Sequence, residues 1–268
     1  MTKPAGKIRR TLRSVAQATA MIILVAACLI ECVARAAVGK LGLEHQARVL
    51  SKWSIRIMHI LGMQWTVIGR PPEHGLIVCN HLSYLDILVF IAAGCPAFVA
   101  KQEVRSWPGI GRVAAICGTI FIDRTRRSST NAVRSQMEEA LAAGRRMVLF
   151  PEGTSSDGSK VLPFHSSLFE SAVNARAPIT AAMIAYSISE GHPGTDVCYW
   201  GDMTMIPHLL KMLYKGTVTA TLKFSSDSAQ FTSRKEAAQT MQREVERLRE
   251  SAGIAAASAS QVAGKVTA

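Results

Sequence analysis

Residues 76–86 read LIVCNHLSYLD, an apolar run through Cys79 that breaks at once into Asn80-His81-Leu82-Ser83-Tyr84-Leu85-Asp86. Four apolar residues bounded by polar ones form a short buried strand, and the apolar stretch 84–92 behind them has the length of a helix. A strand–turn–helix unit puts His81 at the strand's carboxyl edge, where open α/β sheets place their active sites. Asp86 then falls in the first helical turn. Inside one helix the two residues would stand about 140° apart, so the turn is what makes them partners. Two readings share this geometry. In one, Ser83 and Asp86 form an S-x-x-D capping box at the positive end of the helix, and His81 is incidental. In the other, Asp86 accepts the Nδ1–H of His81 and leaves Nε2 as a general base.

The same alternation runs through the body of the chain. Strands are expected at 65–69, 76–79, 97–100, 119–122, 147–150, 179–186, 196–200 and 217–224. Helices are expected at 84–92, 129–143, 168–175, 205–213 and 233–250. The pattern predicts a single α/β domain over 63–250, with a largely buried mixed sheet flanked by helices. Residues 1–62 precede it as basic, membrane-associated helices. Residues 251–268, small and almost uncharged, are expected to fray.

The formal charge of +12 over 268 residues is unevenly placed. Residues 1–70 carry 11 Lys and Arg against Glu31 and Glu44, a net of +9, and the remaining residues carry 20 against 17, only +3. A nearly neutral body without a basic, aromatic-interleaved patch argues against nucleic-acid binding. A basic leading region suits an anionic membrane surface. The six cysteines form no CxxC pair and have no metal-like spacing with histidine, and most lie in apolar stretches. They read as buried free thiols of a reducing compartment, with a disulfide left open.

Residues 15–30, VAQATAMIILVAACLI, follow Lys3, Lys7, Arg9, Arg10 and Arg13. Sixteen helical residues reach about 24 Å, short of the ~30 Å hydrocarbon core. Extension to Val38 gives about 36 Å and takes in Glu31 and Arg35, spaced to pair at i,i+4. A retained helix, spanning the membrane or lying in its interface, is the expectation. The alternative is a cleaved signal, for which Ala34-Arg35-Ala36 is a poor site. A second helix over 44–62 has Leu50, Trp53, Ile57, Ile60 and Leu61 on one face and Arg48, Lys52, Arg56 and His59 on another. Its apolar face is expected in lipid, the alternative being the protein's own core.

Three more stretches bear on His81. Residues 118–124 read GTIFIDR, 150–154 read FPEGT and 163–167 read PFHSS. Singly, each passes for a strand end or a turn. In order and together with NHLSYLD, they resemble the glycerolipid acyltransferase superfamily of 1-acyl-sn-glycerol-3-phosphate acyltransferases and lysophospholipid acyltransferases. That family carries N-H-x-S-x-x-D (the HX4D motif), a G-x-x-F-I-D-R-like strand end, F-P-E-G-T, and a proline in an apolar strand, here Pro178. The resemblance covers about residues 50–225.

The resemblance implies that His81 is the base and Asp86 its orienting partner. The acyl donor is acyl-CoA or acyl-carrier protein, a co-substrate, with no metal or other cofactor. Arg124 would bind an anionic head, Glu152, Gly153 and Thr154 would belong to the acceptor block, and Lys101 would face the acceptor. Many relatives with phosphate acceptors have Arg after FPEGT and Lys after the following Pro-Phe, where this chain has Ser155 and His165. The expected acceptor is 1-acyl-sn-glycerol-3-phosphate, giving phosphatidic acid. FPEGTSSDG, PFHSSLFESA and YWGDMTMIPHLL suggest lyso-ornithine lipid as the alternative. Other readings are a glycerol-3-phosphate acyltransferase, a non-catalytic membrane-binding module and a metal-dependent hydrolase, the last without an HExxH-type cluster. A donor made in the cytosol implies the inner face of a bacterial cytoplasmic membrane.

Overall fold

A computed structural model describes residues 4–37, 43–95, 97–106, 110–116, 118–122 and 127–263. The chain runs α1 (Pro4–Ala37), α2 (Leu43–Ile60), β1 (Met63–Ile68), β2 (Gly75–Cys79), α3 (Leu85–Ala92), β3 (Val99–Lys101), α4 (Ile110–Ile116) and β4 (Ile120–Ile122). It continues α5 (Arg127–Ala142), β5 (Arg146–Leu149), α6 (Glu170–Asn174), β6 (Ile179–Ile188), α7 (Pro193–Asp196), α8 (Met205–Lys215), β7 (Val218–Ala229) and α9 (Arg234–Ala263).

The central sheet has the order β1-β7-β6-β2-β5. It is mixed: β6, β2 and β5 run parallel, β7 is antiparallel to β6, and β1 is parallel to β7. The parallel pair β3-β4 adjoins through a bridge between Phe98 and Val148 of β5. Strand alternation then divides the core, since successive side chains face opposite ways. Ile77, Cys79, Val148, Ala182, Ile184 and Tyr186 face a layer built from α2, α3 and α8, with Met58, Phe90 and Met212 fully buried in it. Leu76, Val78, Met147, Leu149, Ile179 and Met183 face α5, α6 and α9. Gly75 starts β2 at φ +98°, and a Cβ there would strike the Pro178 carbonyl, which accepts the Leu76 N–H at 2.9 Å.

The residues from Ile8 to Arg35 of α1 form a helix long and apolar enough to cross a membrane. One face packs on the body along its length. Arg10 forks onto Glu190 at 2.7 and 3.0 Å, Gln17 donates to the Ile60 carbonyl, and Glu31 receives both Arg35 and the Trp53 indole N–H. On the other face Ile8, Leu12, Val15, Ile22, Ile30 and Val33 are each more than half exposed. Their spacing of three, four, seven and eight residues puts them on one stripe.

Two expectations need correction. The apolar face of α2 lies in protein, not lipid: Leu50 and Trp53 are buried with Cys28 and Cys32 of α1, and Ile57 and Leu61 join the layer of α3. Its basic residues Arg48, Lys52, Arg56 and His59 remain exposed. Residues 196–200 are no strand. The amides of Val197 and Cys198 turn back to the Pro193 carbonyl, and Tyr199 N bonds the Leu82 carbonyl at 2.8 Å. Helix α9 runs on to Ala263. The described cysteines 28, 32, 79, 95 and 198 are buried and form no disulfide among the described residues, and Cys117 lies outside the described residues.

Candidate active site

The site begins where β2 stops. Asn80, 3 % exposed, replaces a strand residue with its side chain. Its Nδ2 donates to the Ile184 carbonyl and its Oδ1 accepts the Ile184 N–H, both at 2.9 Å. The carboxamide thus continues the ladder to β6 and frees the backbone to turn. His81 leaves that turn with Nδ1 2.8 Å from Asp86 Oδ2. Its ring stacks on Phe150, with centroids 4.3 Å apart and planes at 18°.

Asp86 is fully buried in the first turn of α3. Besides His81, its Oδ2 accepts the amides of Leu82 at 2.8 Å and Ser83 at 3.1 Å, and its Oδ1 accepts the Tyr186 hydroxyl at 2.7 Å. A buried carboxylate is tolerable when hydrogen bonds of this kind satisfy it. As an acceptor it places the proton on Nδ1 and the lone pair on Nε2 of His81. Half of the expected capping box is absent. Tyr84 holds the N-cap position without a side-chain cap, and the Ser83 hydroxyl is buried with no hydrogen-bond partner among the described residues. Asp86 has caught the turn from the other side, so the capping role and the histidine-orienting role coexist in one carboxylate.

The FPEGT turn lies against the same peptide. Glu152, 3 % exposed, receives the His81 amide at 3.4 Å and the Leu162 amide at 3.1 Å. Burial pushes its carboxyl up to about 7, with Asp86 adding to the rise and the two backbone amides and Arg249 opposing it. Gly153 turns at φ +73°, and Thr154 is exposed with its hydroxyl 3.5 Å from the Ser155 carbonyl. Ser156 N bonds the His81 carbonyl at 3.0 Å, and Arg249 of α9 ties down the Gly158 and Ser159 carbonyls at 2.7 Å each. Burial pushes the neighbouring Cys198 thiol up to about 12 and raises Cys79 well above its usual value.

His81, Asp86, Glu152 and the FPEGT turn are therefore one unit. Arg124 lies outside the described residues; Lys101 ends β3, and its side chain lies outside them too. The spacing of the motifs does not reveal Asn80 pairing with Ile184 or Tyr186 reaching Asp86. The available signal is chemical, because a tyrosine in an otherwise apolar buried strand needs a partner for its hydroxyl.

This geometry is an α/β fold with a histidine–aspartate pair at a strand's carboxyl edge. A family model described as Acyltransferase matches residues 67–185. The lyso-ornithine lipid O-acyltransferase of Brucella abortus (strain 2308) is 38 % identical over 213 residues, 73 % of this chain and 79 % of that protein. The 1-acyl-sn-glycerol-3-phosphate acyltransferase of Neisseria gonorrhoeae is 35 % identical over 151 residues, 52 % of this chain and 59 % of that protein. The fold matches the crystal structure of the 1-acyl-sn-glycerophosphate (LPA) acyltransferase PlsC from Thermotoga maritima. Its TM-score is 0.69 at 20 % identity, covering 92 % of this chain and 98 % of that one. The chain belongs to the acyltransferase family.

Proposed function

We propose that this acyltransferase moves a fatty acyl group from an acyl thioester, carried by coenzyme A or an acyl-carrier protein, to the free hydroxyl of a lysolipid. The observation that carries the mechanism is the His81–Asp86 pair, with its 2.8 Å bond at Nδ1. Nε2 takes the hydroxyl proton as that oxygen attacks the thioester carbonyl, and buried Asp86 stabilises the imidazolium. Collapse of the tetrahedral intermediate breaks the C–S bond, and the departing thiolate takes the proton back from Nε2. A thioester is already activated, so the chain's own residues suffice to orient and to move one proton.

The first acceptor to offer is 1-acyl-sn-glycerol-3-phosphate, with Arg124 and Lys101 as its cations and the Glu152–Thr154 turn beside it. A second reading, lyso-ornithine lipid, is favoured by Ser155 and His165 standing where phosphate-acceptor relatives carry Arg and Lys, and by the Brucella relative's coverage of most of the chain. Helix α1 is bonded to the body near both ends, at Glu190 and at Trp53. Such a helix is suited to lie in the interface with its apolar stripe in lipid, in place of crossing with the body left behind. The cytosolic origin of the donor puts the site on the inner face of the bacterial cytoplasmic membrane.

The test is acyl transfer by membranes containing wild-type or His81→Ala protein. General base catalysis contributes about 10²–10⁴-fold, so His81→Ala should lose at least that much of the turnover. Asp86→Asn should retain a folded protein and lose most of the rate. Full activity in His81→Ala would contradict the proposal.

A further inference from the structure

Asp86 has two oxygens, and the turn that follows β2 accounts for only one. Oδ2 is shared by His81 Nδ1, Leu82 N and Ser83 N, whereas Oδ1 receives the Tyr186 hydroxyl at 2.7 Å. Tyr186 comes from β6 and shares a face with Ala182 and Ile184, so its hydroxyl is the polar atom in an apolar row. Burial, reinforced by the Asp86 charge, raises its phenol well above the usual value, and the hydroxyl stays a donor. The other titratable groups acting on Asp86 come from separate elements: Cys79 at the end of β2, Glu152 after β5 and Cys198 after α7. Among the described residues none of these three donates to Oδ1.

We propose that Tyr186 is a positioning residue for the transfer reaction: its hydroxyl fixes the Asp86 carboxylate and sets how firmly His81 holds the proton it takes. The inference rests on the reading of His81 as the base. Oδ2 is already held by the imidazole and two amides, and the short O–H···O⁻ bond to Oδ1 adds one of the stronger restraints available. The phenol also draws off part of the carboxylate's charge, so the imidazolium is stabilised enough to form and still able to release its proton to the leaving thiolate. Loss of the hydroxyl leaves Oδ1 buried without that donor. Both consequences point one way. Asp86 would hold the imidazolium proton more tightly, and it would itself accept a proton more readily. Each moves the loss of activity on the acid side to higher pH.

The experiment measures acyl transfer by wild type, Tyr186→Phe, Asp86→Asn and the double variant, in full-length protein in membranes, from pH 5 to 9. Tyr186→Phe should lower kcat about 5- to 20-fold, leave the acceptor KM within about twofold, and move the acid limb up by about half a pH unit or more. Circular dichroism of each variant over the same pH range separates the two cases, since a limb that moves while the folded fraction stays constant reports the site and not unfolding. In the Asp86→Asn background the second substitution should change kcat less than about twofold, because the group through which Tyr186 acts is already altered. A wild-type kcat and acid limb in Tyr186→Phe would overturn the proposal, as would an equal fall in both backgrounds. Wild type inactive on either acceptor would instead sink the acyl-transfer reading, and this inference with it.

Discussion

Asn80, Asp86 and Glu152 use side-chain oxygens and amides where a strand would use its backbone, and this is how a sheet edge is made to hold a histidine. Removing Asn80 exposes the cost: Asn80→Ala takes the carboxamide partner from the buried N–H and carbonyl of Ile184. It should destabilise the protein by about 2–4 kcal/mol, read as a lowered midpoint in urea unfolding. Glu152 supplies a pH signature. Its folded value of about 7 lies above the ordinary 4.5, so between those pH values the folded state binds more protons than the unfolded one. The contribution of Glu152 to stability then falls as pH rises through that window, by up to about 3 kcal/mol. Glu152→Gln removes that slope, at the cost of one mismatched backbone amide. Unfolding of the wild type and the variant at pH 5 and pH 8 checks it, and identical slopes would rule it out. At this scale the His81–Asp86 pair was legible, because its five-residue spacing across a turn is a local feature. The Asn80–Ile184 and Tyr186–Asp86 bonds join residues about a hundred positions apart, and no local pattern carries them.

Helices α1 and α2 show how one amphipathic pattern serves two partners. Both have an apolar face at helical spacing, but α2 buries its face against Cys28, Cys32 and α3, whereas the outer stripe of α1 is more than half exposed among the described residues. Periodicity shows that a face exists and not what covers it, which is why the apolar face of α2 reads equally well as lipid-facing. The two helices therefore respond differently to substitution. Leu50→Ala, in the packed face, should cost about 2–5 kcal/mol and lower the melting temperature. Ile22→Glu, on the exposed stripe, should leave the melting temperature nearly unchanged and shift the protein from the membrane to the soluble fraction on flotation with vesicles. The sheet strands were legible from alternation to within a few residues. The expected strand at 196–200 failed because Val197 and Cys198 are buried by packing over the His81 turn, not by pairing in a sheet, and apolar β-formers look alike in both settings.

Charge and fold act together over the whole molecule. The net of +9 in residues 1–70 sits at the end of the chain that carries the exposed apolar stripe, while the body is nearly neutral. Hydrophobic insertion is indifferent to salt and electrostatic attraction is screened by it. Binding to vesicles containing anionic lipid should therefore weaken in 0.5 M salt without vanishing, and binding to neutral vesicles should change little. A copy with Arg48, Lys52 and Arg56 replaced by Gln should lose part of the salt-sensitive component, since each basic residue near an anionic surface is worth about 1 kcal/mol. The most direct measurement offers 1-acyl-sn-glycerol-3-phosphate and lyso-ornithine lipid in parallel, with an acyl thioester, to membranes carrying wild-type or His81→Ala protein. Acylation of either acceptor by the wild type, lost by 10²-fold or more in a folded His81→Ala, is the predicted result, and the preferred acceptor then decides between the two lysolipids. Transfer that survives the substitution unchanged would contradict the account.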